Sequence, residues 1–155
     1  MTLRLCLLLS LALLLVADSP GPPSASAMLR LTPTRSSGRI TIDDKVLRAG
    51  RVQLQIPVTK IRNPKMLSIS ISAIAILSNQ KTGRISLGSF SIYPADQTGT
   101  FHLPLPETVA KAGRGTGRIT FEIRLVPGPE TLEANSLEIE LGPIRLTAEP
   151  LALLL

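Results

Sequence analysis

Apolar and polar residues alternate along most of this chain from Gly38 almost to its last ten residues, the period of a strand with one buried face. Val52, Leu54, Ile56 and Val58 share one parity, while Gln53, Gln55 and Thr59 share the other. Ile119, Phe121, Ile123 and Leu125 repeat this against Thr120, Glu122 and Arg124, and Leu137, Ile139 and Leu141 repeat it against Glu138 and Glu140. Two segments change phase midway. Ile69 and Ile71 give way to Ile74 and Ile76, and Ile85 and Leu87 to Phe90 and Ile92. A one-residue slip moves every side chain to the other face unless a bulge absorbs it, so bulges are predicted near Ala73 and Gly88. The run Met66 to Leu77 could also be a buried helix, but serines at 68, 70 and 72 alternating with isoleucines favour a strand.

Turn chemistry at Asn63-Pro64, Asn79 to Gly83, Pro94 to Gly99, Gly113 to Gly117 and Pro127-Gly128-Pro129 divides the chain into about seven short strands. One short helix is predicted over Pro106 to Ala112, with Pro106 and Glu107 in its first turn and Gly113 ending it. The pattern predicts an all-β fold, an antiparallel β-sandwich, with an open barrel as the alternative.

The chain opens differently. Arg4 precedes an apolar run from Leu5 to Ala17, and a Pro/Gly/Ser stretch then ends in Ala25-Ser26-Ala27, the layout of a signal peptide over residues 1–27. A membrane span needs about 20 apolar residues, and Asp18, Pro20, Pro22 and Pro23 stop this run early. Membrane contact enters only if the leader is retained. The expectation is a periplasmic or secreted product with a single β-sandwich domain over residues 28–155. The only cysteine, Cys6, begins the apolar run and would leave with it. No disulfide would then hold the domain, so packing must.

Removing Arg4 and Asp18 with the leader keeps the net charge at +6, which favours anionic surfaces. Single-stranded nucleic acid usually takes aromatic platforms as well as a basic groove. With no Trp, one Tyr and three Phe, the chain offers few, and nucleic acid is set aside as a partner. Gly38-Arg39-Ile40, Gly50-Arg51-Val52, Gly83-Arg84-Ile85 and Gly117-Arg118-Ile119 form an internal echo. Glycine turning the chain and arginine guarding a strand end explain it simply. The other reading, a basic rim for an acidic partner, requires these arginines to converge in space.

Catalytic and metal chemistry finds little support. His102 is the only histidine and has outward strand parity, so zinc or copper on nitrogen and sulfur ligands is not expected. Asp96 precedes it without a nucleophile-elbow sequence. Asp43 and Asp44 form an acidic pair that a turn explains better than calcium, which needs six or more oxygens. Glu138 and Glu140 share one strand face, whereas glycosidase carboxylates face each other across a cleft. Gly113-Arg114-Gly115-Thr116-Gly117 lacks the lysine of a phosphate-binding loop and reads as a hairpin connection. The tail Leu151, Leu153, Leu154 and Leu155 would pack on the domain's own core or contact another chain. No catalytic, cofactor-binding or metal-binding residue is assigned.

From Ser68 to Thr147 the order of features resembles the C-terminal β-sandwich domain of the tyrosinase and polyphenol oxidase family. The residues that carry it are Leu87-Gly88-Ser89-Phe90, then Phe101-His102-Leu103-Pro104-Leu105 with a short helix, Ile119 to Pro127 ending Leu125-Val126-Pro127, and Leu137 to Leu146. The dicopper domain of that family uses six histidines and this chain has one, so the resemblance implies a stand-alone relative of the accessory domain, which covers the copper-site entrance, keeps the enzyme latent or assists its maturation. With the expected leader, it implies an exported, non-enzymatic module that binds a protein partner, a copper oxidase being the candidate, with Phe90, Tyr93 and His102 as partner contacts. Partial burial is the simpler role for Tyr93. The alternative is a cell-surface sandwich that binds an apolar or anionic ligand.

Overall fold

The computed structural model describes residues 28–43, 45–48, 51–77, 83–127 and 136–148. The expected leader, Asp44, Gly50, most of the Asn79 to Gly83 and Pro127 to Pro129 turns and the leucine tail lie outside them.

The described residues form nine strands, all paired antiparallel, in two sheets. β1 (Leu29–Leu31), β8 (Glu138–Leu141), β3 (Val52–Arg62) and β6 (Gly99–Pro104) form the first sheet, and β9 (Arg145–Ala148) joins it on β3. β2 (Ser37–Asp43), β7 (Arg118–Pro127), β4 (Ile69–Ile76) and β5 (Arg84–Ile92) form the second, in that order. The sandwich is as predicted, with two more strands. β1 is three residues long, too short for alternation to register. The predicted last strand is two, because the buried parity of Leu137, Ile139 and Leu141 changes to Ile144 and Leu146 across Gly142-Pro143. β8 and β9 then share one side of β3, pairing with Val58 to Arg62 and Val52 to Gln55 respectively.

The inner faces close on one core. Leu31, Leu54, Ile56, Ile139 and Leu141 from the first sheet are buried in the same cluster as Ile40, Ile71, Phe121 and Ile123 from the second. Each such side chain contributes about 1.5–3 kcal/mol.

The predicted bulge near Gly88 is present, but the one near Ala73 belongs to its neighbour. Ala73 pairs Gly88 and Ile74 pairs Ser86, so Leu87 is the extra residue and it lies on β5. Gly88 adopts φ +119°, a conformation that favours glycine. β4 runs unbroken against β7, from Ile69 opposite Pro127 to Ile76 opposite Thr120. A bulge in β4 would interrupt that central pairing. Ala73 and Ala75 therefore continue the inner face, and Ile74 and Ile76 lie half-buried outside.

The helix α1 spans Glu107–Thr116, past the predicted end at Ala112, with Gly117 as its left-handed C-cap donating to the Gly113 carbonyl at 2.7 Å. The Gly113 to Gly117 segment is thus the last turn of a helix rather than a hairpin connection. Tertiary packing outweighs the roughly 1 kcal/mol helix cost of each interior glycine. Val109, Ala110 and Gly113 form the buried face. A Cβ on Gly113 would stand 2.5 Å from Ile119 Cδ1 and 2.9 Å from Leu47 Cδ1, so the helix approaches β7 and the short 3-10 turn Lys45–Arg48 only because that side chain is missing. Arg114 fastens the contact by donating to the Leu47 carbonyl at 3.2 Å.

Candidate functional site

β5 and β6 are edge strands of opposite sheets, joined by residues 93–98 at one open side of the sandwich. Phe90 faces inward opposite Ile71, and Phe101 faces inward opposite Ile56. Their rings stack across the gap with centroids 4.1 Å apart and planes 12° from parallel. The pair closes the edge where neither sheet has a further strand.

The connecting loop is fastened from below by a residue whose role sequence did not disclose. Asn63, only 7% exposed, accepts from the Leu67 amide at 3.0 Å and donates to the Leu67 carbonyl at 2.8 Å and the Ala95 carbonyl at 3.1 Å. One amide side chain therefore couples the β3–β4 turn to the β5–β6 loop. Within that loop the Tyr93-Pro94 peptide is cis and the Gln97 amide donates to the Pro94 carbonyl at 3.0 Å. A cavity of about 210 Å³ opens beside it, lined by Ile92, Tyr93, Gln97, Thr98 and Phe101 among others. Tyr93 is 91% exposed, which overturns its expected partial burial. The chain turns away from the core immediately after buried Ile92, leaving the phenol ring in solvent.

Of the three candidate contacts, the structure brings two to this edge. Phe90 stacks on Phe101, and Tyr93 and Phe101 line the same cavity. His102 has the parity opposite to Phe101 and is exposed on the outer face of the first sheet, across from Gln55. It shares a strand with this site but not a face.

A second cluster lies on the outer face of the β2-β7-β4-β5 sheet, where two of the four echo arginines, Arg39 and Arg84, converge. Glu122, with its side chain 5% exposed, receives Arg39 Nε at 3.4 Å, Arg84 Nη2 at 2.7 Å and Arg124 Nε. Arg84 reaches it across β4, whose outward Ile74 and Ile76 lie between. Burial pushes the Glu122 carboxyl up, but hydrogen bonds and charge from Arg124 and Arg84 outweigh this and hold it below the usual carboxylate range. The third echo arginine, Arg118, pairs with Asp43 at 2.8 Å on the same face. Arg51 precedes β3 in the other sheet. Glu138 and Glu140 pair with Arg30 and Lys60 as a solvated strand face. Among the described residues no group of three or more His, Cys, Asp or Glu is placed to hold a metal ion.

No protein-family model and no curated protein sequence matches this chain. Among solved structures it is similar to recombinantly expressed latent aurone synthase, a polyphenol oxidase. Co-crystallized with hexatungstotellurate(VI), that enzyme superposes with TM-score 0.50 and 12% identity over 77% of this chain and 25% of its own. Another structure of the recombinant latent enzyme gives 0.49 and 13% over 77% and 24%. The chain spans about a quarter of the length of the enzyme it matches, consistent with its C-terminal domain. At that identity the likeness is one of fold, and at that level the resemblance read from Ser68 to Thr147 holds.

Proposed function

We propose that this chain is an exported, non-enzymatic accessory module that docks on a protein partner, a copper oxidase, through the rim formed by residues 90–101. The observation that carries this reading is Tyr93: a 91%-exposed aromatic side chain beside a cavity, on a domain whose fold is that of a quarter of a polyphenol oxidase chain. An amphipathic ring held out at low conformational cost is a frequent anchor at protein interfaces. Asn63 and the Phe90–Phe101 stack hold the rim rigid beneath it, which limits the ordering cost of docking.

The test is cross-linking of the tagged chain in the native exported fraction, with mass spectrometry of what is captured, for wild type and Tyr93→Ala. Recovery of a dicopper oxidase by wild type, reduced about tenfold or more by Tyr93→Ala at unchanged thermal stability, supports the reading. Absence of any such oxidase among the captured proteins refutes it.

A further inference from the structure

Glu122 could be neutralised by one well-placed arginine, yet three hold a nitrogen within 3.4 Å of its carboxyl group. With the Arg118–Asp43 pair included, the described residues of this face carry four guanidinium groups against two carboxylates. Two positive charges are left over at one place. Glu122 cannot turn outward to serve another partner, because it is buried beneath the arginines that it gathers. They remain accessible, with side chains 67%, 43% and 46% exposed for Arg39, Arg84 and Arg124. Gathered on one carboxylate, they repel one another and favour a second anion above them.

We infer that the outer face of the β2-β7-β4-β5 sheet is a docking surface for an acidic polypeptide segment, whose carboxylates take the guanidinium donors that Glu122 leaves unused. Guanidinium forks match carboxylates bidentately. Ser72, Ser86 and Ser89 surround the cluster with short hydroxyl side chains, so a chain can lie flat across the strands. The face fits other polyanions less well. Phe90, Phe101 and Phe121 point inward and Tyr93 lies in the loop, so it presents no aromatic platform for a sugar ring or a base. Among its described residues Val126 is the one well-exposed large apolar side chain, with Ile74 and Ile76 half-buried, which gives a lipid surface little to bury. This rests on the reading of the chain as a protein-binding module and names the chemistry of a second contact.

The experiment measures fluorescence anisotropy of a short fluorescein-labelled peptide of alternating glutamate and serine, titrated with the full chain. Arg39→Gln/Arg124→Gln is expected to weaken binding about tenfold or more, and Arg62→Gln/Arg145→Gln, which removes the same charge from the other sheet, by less than about twofold. If the first double variant does not fold, Arg39→Gln alone carries the test, since its contact with Glu122 is the longest of the three. Equal weakening by both double variants overturns the inference, as does a wild-type chain that ignores the peptide at low salt. Retention on anionic vesicles or a sulfated polysaccharide that the peptide cannot displace overturns it too. No oxidase is present, so failure here is distinguishable from failure of the Tyr93 rim to capture one.

Discussion

On the outer face of the β3 sheet Glu138 meets Arg30 and Glu140 meets Lys60, one cation to each carboxylate. On the outer face of the β7 sheet Glu122 alone collects Arg39, Arg84 and Arg124. The carboxylates differ in burial as well, with side chains 14% and 24% exposed in the first sheet against 5% in the second. Exposed pairs gain modest Coulomb energy against side-chain entropy and are screened by salt. A buried carboxylate must be compensated fully or it destabilises the fold. One-to-one pairing therefore suits a strand face that only needs solvation. Many-to-one pairing stores excess positive charge at a defined place.

The core that both faces share sets the scale for breaking this comparison. Phe121→Ala, on the strand that carries Glu122, is expected to cost about 3–5 kcal/mol in urea unfolding, because a fully buried ring leaves a cavity. Next comes Glu122→Gln, expected to cost about 1–3 kcal/mol, since three arginines would then face one another with no counter-ion. This cost lies below the full penalty of a broken buried pair because the arginines still reach water.

The acid limb gives a finer measurement. The carboxyl of Glu122 is held below its ordinary value of 4.5 in the folded chain, so its ionisation contributes stability that is present above that value and lost as pH falls toward the depressed one. Urea midpoints measured downward from about pH 5 are expected to fall more steeply for wild type than for Glu122→Gln. Equal slopes would show that the arginines do not stabilise the charged form. The smallest effect belongs to Glu138→Gln. The hydrogen bond from Arg30 holds the Glu138 carboxyl low, but the pair is solvated, and the urea midpoint is expected to stay close to wild type. A loss equal to that of Glu122→Gln would erase the distinction between the two faces.

Much of the scaffold is legible along the chain because a strand writes its burial in adjacent letters. Val52 to Val58 and Leu137 to Leu141 alternate in sequence and in burial alike, and Ile119 to Leu125 does so except at buried Glu122. The bulge at Gly88 shows as a change of parity beside a glycine. The same rule misplaced a bulge at Ala73, because two alanines look neutral in a pattern although they hold the inner face. The helix reads as ending at Gly113 for a related reason: propensity sees the missing side chain as a stop, whereas a Cβ there would crowd Ile119 and Leu47. At the site, the outward parity of His102 was readable, and the exposure of Tyr93 was not, since it depends on where a loop leaves the sheet.

By itself the sequence determined the antiparallel all-β class, most strand faces and the Gly-Arg echo, which depend on neighbours a few residues apart, whereas the inner face of β4 and the choice of sandwich over open barrel came from the packing of the sheets. Tertiary structure alone decided that Asn63 ties two loops together, that Phe90 meets Phe101, and that Arg39, Arg84 and Arg124 share Glu122. Arg39 and Arg84 lie far from Glu122 along the chain, and only the strand order β2-β7-β4-β5 brings them to it. Periodicity reports which face a residue takes. It carries no information on which strand lies alongside, because that is set by the packing of two whole sheets around one core.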